Sequence, residues 1–173
     1  MLREIVVYPD KRLKQISDEI TAFDNSLHTL LDDMYETMIA KNGVGLAAVQ
    51  VGEAIRALII NIPMKDKERG EDQPRENTLE IINPRFITCE GSTIFNEGCL
   101  SVPGVYEDTA RYEYVKVVYH DRHGNEQTIE DDDFLSIAIQ HEVDHLDGKV
   151  FIEKLSFAKR KKFEKEWKKR DRA

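Results

Sequence analysis

Two histidines four residues apart, with a glutamate directly after the first, stand out in the string QHEVDHLDG at residues 140–148. Positions i and i+4 share one face of a helix, so His141 and His145 can turn both imidazoles toward a single metal ion, with Glu142 beside them as an acid/base. The neighbouring Phe134, Ile137, Ala138 and Val143 are apolar enough to draw that helix into a core. A catalytic ion of this kind usually takes three protein ligands and keeps one position for water. Hydrolysis by an activated water is therefore the expected chemistry, and the motif lacks its third ligand.

Several positions can supply it. The longer HExxHxxGxxH pattern would put a histidine at 151, where this chain has Phe151, although Gly148 matches. A downstream carboxylate would be Glu164 or Glu166, both in a strongly charged segment expected to be solvated. A soft thiolate is the other option: Cys99 lies in EGCLSVPG between two glycines, where backbone can approach a metal closely. Cys89, in the strand-like FITCEG, reads as a packed thiol. Two cysteines are too few for a disulfide framework and suit a reducing compartment.

These groups need elements to hold them. Residues 134–146 form the expected motif helix, with Asp131, Asp132 and Asp133 at its positive end and Gly148 as its stop. In residues 21–40, Leu27, Leu30, Leu31, Met34, Met38 and Ile39 recur at helical spacing, and Asn42-Gly43 ends the pattern. Residues 55–60, 79–82 and 112–120 are rich in branched and aromatic types and read as strands, with a hairpin turn at His123-Gly124-Asn125 into a strand over 126–129. Residues 65–77 contain no apolar side chain and are expected to be an exposed loop. A last helix, at about 156–172, carries Phe157, Phe163 and Trp167 along a basic run. The order predicts an α+β domain, with small mixed or antiparallel sheets packed around the central HExxH helix and a C-terminal helix. At 173 residues a single domain over 1–173 is expected.

Charge and hydropathy exclude several classes. The chain carries a net charge of −8, yet from Lys154 onward ten basic residues face three acidic ones, so that segment is +7 and residues 1–153 are −15. A body so acidic would repel phosphates and cannot be a general nucleic-acid coat, which leaves the basic helix as an interaction arm or a solvated face. The longest apolar run, residues 54–62, is interrupted by Arg56 and Asn61 and is far short of the roughly 20 residues of a membrane span. The first residues show no secretory pattern, so a cytoplasmic location and no membrane partner are expected.

Three strings, GVGLAAVQ at 43–50, EGCLS at 97–101 and QHEVDHLDG at 140–148, resemble in order and separation the signature motifs of the bacterial peptide deformylases. The resemblance extends from IVVYPDKRL near the start to the helix after KVFIEKLS. It implies a metal-dependent hydrolase that removes the N-formyl group from the formyl-methionine of nascent peptides and releases formate. It also implies Cys99, His141 and His145 as metal ligands, Glu142 as acid/base, and Gln50 with the backbone amide of Leu100 as oxyanion donors. Ferrous iron is the implied cofactor, with Zn²⁺, Ni²⁺ or Co²⁺ able to take the same ligands. Gly43 and Gly45 leave room for a peptide to lie alongside as an added strand, and Val44, Phe134, Ile137 and Ala138 are expected to line the methionine pocket. Ribosome docking through the basic C-terminal helix is the implied partner interaction. Tyr106 departs from the family, whose well-known members carry an arginine near the substrate entrance.

Around the ligands, Gln140 and Asp144 are expected to support the imidazoles. Glu97 and Arg111 can pair, with Arg111 expected at the surface. His28, His120 and His123 have no partner at ligand spacing and are expected to be structural or solvent-facing. An endopeptidase would need a third histidine or glutamate ligand, and a closed zinc module a fourth ligand, for which Cys89 is the obvious source. Neither accounts for GVGLAAVQ.

Overall fold

A computed structural model describes residues 1–63 and 72–171. Helix α1 spans Asn25–Ala40, not the residues from 21 expected, because the Asp24 side chain accepts from the Leu27 amide and starts the helix there. Asn42, at φ 57°, takes the left-handed position that ends the turn after it. Gly43 serves a different need, since a Cβ there would stand 2.9 Å from Leu100 Cδ1.

Five antiparallel strands form the main sheet: β1 (Gly45–Ala47), β2 (Ala57–Ile60), β3 (Leu79–Glu90), and then, after a separate hairpin, β6 (Tyr114–His120) and β7 (Glu126–Asp131). Their order is β1-β2-β3-β6-β7. Strand β2 is buried on both faces, which is why ALII reads as a continuous apolar run and not as an alternation. Ala57 and Ile59 meet Leu31, Met34 and Met38 of α1 on one side. Leu58 and Ile60 join Ala138, Ile139, Val143 and Leu146 on the other. Those four belong to α2 (Phe134–Leu146), which thus lies across the sheet face opposite α1. Its start is held by Asp131, whose Oδ2 accepts from the amides of Asp133 and Ser136, while Asp133 makes no side-chain cap.

The separate hairpin, β4 (Thr93–Cys99) and β5 (Val102–Arg111), was not expected from the sequence. It is a two-stranded sheet whose buried face is largely polar, with Glu97, Thr109 and Arg111, so it lacks an apolar run to announce it. Strand β3 also runs well past 82, because a register shift after Ile82 absorbs Asn83 (φ 52°) and Pro84 and the ladder then resumes. Helix α3 (Phe157–Asp171) packs on the hairpin side: Phe163 and Trp167 are buried with Val102, Phe151 and Leu155. The rest of its surface is exposed and basic, so the arm is docked and not free.

The expected exposed loop falls partly outside the described residues, at 65–71. Within the remainder Gln73 corrects the expectation: it is buried, and its amide donates to the carbonyls of Gly43 and Asn61. Among the described residues no helix is long and apolar enough to cross a membrane.

Candidate metal centre

The i,i+4 spacing on α2 brings the imidazoles of His141 and His145 to 5.1 Å between ring centroids. Strand β4 ends by delivering Cys99, whose Sγ is 3.4 Å from His145 Nε2. The three ligand atoms lie within 4.8 Å of one another. Glu164 and Glu166 sit on α3 outside this cluster, and Phe151, at the position where a third histidine was considered, stacks on the His141 ring at 6.0 Å instead. One sulfur and two imidazole nitrogens are a donor set for a borderline transition-metal ion.

A buried polar frame fixes these ligands. His141 Nδ1 is 2.7 Å from Glu97 Oε1, which directs Nε2 to the ligand side. Arg111 holds the same carboxylate in a fork, with Nε to Oε2 at 2.6 Å and Nη2 to Oε1 at 2.7 Å, and reaches Asp144 Oδ2 at 2.6 Å through Nη1. Arg111 was expected at the surface but is buried. It joins the hairpin to α2 and so sets Cys99 against the histidines. Burial favours the neutral acid of Glu97, but the bonds to Arg111 and His141 outweigh it and hold the carboxyl below its usual range. Gln140 plays a different part from the one expected, exchanging hydrogen bonds with the backbone of Tyr112 rather than supporting an imidazole.

Glu142 projects beside the ligands, with Oε1 3.7 Å from His141 Nε2. It is buried, and its Oε2 has no hydrogen-bond partner among the described residues. Burial pushes its carboxyl up to about 7, against the pull of His141 and with Glu97 adding to the rise. Burial also lowers His145, whereas at His141 hydrogen bonds to Cys99 and Glu97 overcome burial and raise the pKa. Gly45 makes the space Glu142 needs, since a Cβ there would lie 3.2 Å from both Cγ and Cδ of the glutamate. Gln50 lies in the helical turn that follows β1 and is held by it: Oε1 accepts from the Ala47 amide at 2.9 Å, and Nε2 lies 3.0 Å from Ser101 Oγ and 3.5 Å from Cys99 Sγ.

A cleft of about 960 Å³ opens on this cluster, lined among others by Gly43, Val44, Gly45, Gln50, Cys99 and Leu100. Phe134, Ile137 and Ala138 reach it from α2, together with His141 and Glu142, while His145 lies beneath with no exposed surface. Of the described residues, β1 pairs only with β2, and β4 only with β5. The cleft therefore runs between two open strand edges. Sequence reasoning missed Ser101, Phe151 and Phe95, whose ring sits 5.2 Å from that of Phe134. None has a local signal, because each acquires its role across the fold. His28, His120 and His123 lie elsewhere; His28 Nε2 meets the Arg122 carbonyl at 2.8 Å, and its ring packs edge-on against His123.

A family model described as polypeptide deformylase matches residues 2–161. The peptide deformylase of Wolinella succinogenes is 59% identical over 169 residues, covering 98% of this chain and 97% of that one. A crystal structure of a peptide deformylase from Legionella pneumophila superposes with a TM-score of 0.89 at 38% identity, covering 99% of this chain and 96% of that one. One from Ehrlichia chaffeensis, in complex with actinonin, superposes at 0.86 and 40% identity, covering 99% of each. The chain belongs to the peptide deformylase family, metal-dependent hydrolases that remove the N-formyl group from nascent peptides.

Proposed function

We propose that Cys99, His141 and His145 hold one ferrous ion, and that Glu142, Gln50 and the Leu100 amide act on a formyl group presented to it. Zn²⁺, Ni²⁺ or Co²⁺ can take the same donors. The observation that carries the reading is a buried carboxylate oxygen, Glu142 Oε2, without a hydrogen-bond partner among the described residues, set beside three converging ligand atoms at a cleft between two strand edges. When bound, a divalent ion lowers the pKa of water and polarises a carbonyl oxygen.

The protein's own groups do the rest. Glu142 takes the proton of the attacking water and returns it to the departing amine, so formate leaves and a free amino terminus remains. Gln50 turns toward the oxygen on which charge develops. Its Oε1 is anchored, one amide proton goes to Ser101, and the other has only a long contact to sulfur to give up. The Leu100 N–H is the second donor aimed at that oxygen. A peptide lies extended along Gly43, Val44 and Gly45, using the open edge of β1. Its methionine side chain enters among Val44, Phe134, Ile137 and Ala138, with Phe95 closing the pocket.

In this reading residues 1–173 work as one domain, and the exposed basic face of α3 docks on the ribosome. The test is formate release from formyl-Met-Ala-Ser by protein reconstituted with Fe²⁺ in the absence of oxygen. Turnover that depends on the metal and on Glu142 supports the assignment. Metal binding without formate release would refute it.

A further inference from the structure

We propose that Tyr106 selects the residue that follows the formylated methionine and favours a large apolar side chain there. The inference rests on the reading of the cleft as a peptide site and goes beyond it by naming a second specificity position. Strands β4 and β5 pair in a register that sets Gly98 opposite Tyr106 and Glu97 opposite Glu107. Successive side chains alternate between the two faces of a strand. The inner face carries Phe95, packed on Phe134, and Glu97, bonded to His141. Gly98 and Tyr106 therefore belong to the outer face.

On that face the Tyr106 ring lies across the bare glycine. A Cβ built on Gly98 would stand 2.5 Å from Tyr106 Cε1 and 2.7 Å from Cδ1. The ring thus spans from β5 over β4 toward the open edge of β4, where the cleft begins. Gly98 and Tyr106 both line that cleft, yet Tyr106 remains 63% exposed. The result is an apolar plate at the rim, supported from below by backbone and open above.

An extended peptide obeys the same alternation. With its methionine side chain on the inner face, among Phe134, Ile137 and Ala138, its next side chain projects to the outer face, where the plate lies. A leucine laid on the ring hides part of its apolar surface from water, and glycine hides none. Contacts of that size change kcat/KM by about three- to tenfold.

The experiment measures kcat/KM by formate release from formyl-Met-Leu-Ser and formyl-Met-Gly-Ser, using the metal-loaded wild type, Tyr106→Phe and Tyr106→Ser. Wild type and Tyr106→Phe, which keeps the ring, are expected to prefer leucine by about three- to tenfold. In Tyr106→Ser the ratio should fall toward one. An unchanged ratio in the serine variant, whether or not its overall rate drops, would overturn the proposal and leave the ring as a support for Gly98. Should that variant fail to fold, wild type alone decides: kcat/KM rising from Gly through Ala to Leu at the second position supports the plate, and a flat series overturns it. No formate from either peptide with wild-type protein would instead refute the peptide-site reading itself.

Discussion

Replacing Arg111 with methionine tests whether the site depends on its buried ionic frame. The guanidinium is 2% exposed and the Glu97 carboxylate 4%, so solvent screens this pair very little. The substitution removes both prongs of the fork on Glu97 and the bond to Asp144. Asp144 keeps a contact to Lys154 at 3.5 Å, but among the described residues Glu97 is left with only His141. Removing one partner of a buried pair typically costs about 3–5 kcal/mol, because the remaining charge stays desolvated. In a domain of this length each kcal/mol moves Tm by about 2–4 °C, so metal-free Arg111→Met should melt about 6–20 °C below wild type. Without its fork Glu97 also orients His141 less firmly, which should weaken metal binding by about 10- to 100-fold. Adding Glu97→Gln, which removes the stranded charge, should recover part of the loss, with a coupling of about 0.5–3 kcal/mol in a double-mutant cycle. Thermal melts of the metal-free proteins and competition against a coloured chelator read the two effects separately. A Tm drop below about 2 °C with unchanged metal affinity would refute the idea that Arg111 sustains the site.

Glu142→Gln should keep the metal and lose about 10²- to 10⁴-fold in kcat, since the amide fits the same space but cannot take a proton; a variant retaining more than about a tenth of wild-type kcat would exclude Glu142 as the base. Activity with Fe²⁺ should decay in air and persist with Ni²⁺ or Zn²⁺, and mass spectrometry of the inactivated protein should place added oxygen on Cys99, whereas an unmodified thiol would confine the damage to the iron. Reversing Lys161, Lys165 and Lys168 to Glu, all on the exposed face of α3, should weaken ribosome binding in a salt-dependent way while Tm stays near the wild-type value; unchanged binding would leave that face simply solvated.

What the sequence disclosed about the site follows from how local each signal is. His141, Glu142 and His145 share one helical turn, and their geometry is set by backbone hydrogen bonds alone, so spacing sufficed. Leu27, Leu31, Met34 and Met38 announced α1 for the same reason. Phe163 and Trp167, four residues apart, were visible as an apolar pair within a basic run, and burial in a shared cluster is the outcome that pairing permits. Cys99 was one of several open choices on spacing, because its approach to His145 depends on the turn that ends β4. Arg111 offered a possible pairing with Glu97 but no sign of burial, and Gln73 carried no signal at all. A buried arginine and a buried glutamine look like surface residues until the partners that satisfy them, 14 and 30 positions away, are in place.

The division has a physical consequence for how the centre is assembled. Helix α2 brings two ligands and the base to the main sheet, against which it buries Ala138, Ile139, Val143 and Leu146. The third ligand arrives on a hairpin that, among the described residues, shares no strand pairing with that sheet. Beside the bonds that Ser101 makes to Gln50 and to the Tyr8 amide, two linkages of different kind set its position. One is polar, from Arg111 and Glu97 to His141 and Asp144; the other is apolar, from Val102 and Val105 to Phe163 and Trp167, with Arg170 Nη1 donating to the Pro103 carbonyl at 2.5 Å. The polar linkage is directional and fixes Cys99 and His141 relative to each other, whereas the apolar one is area-dependent and tolerates small shifts. Truncating α3 should therefore lower stability first, while loss of Arg111 should lower metal affinity even where the chain stays folded. The two losses separate only if the centre is built from differently anchored parts, as a hairpin that shares no strand pairing with the main sheet among the described residues allows.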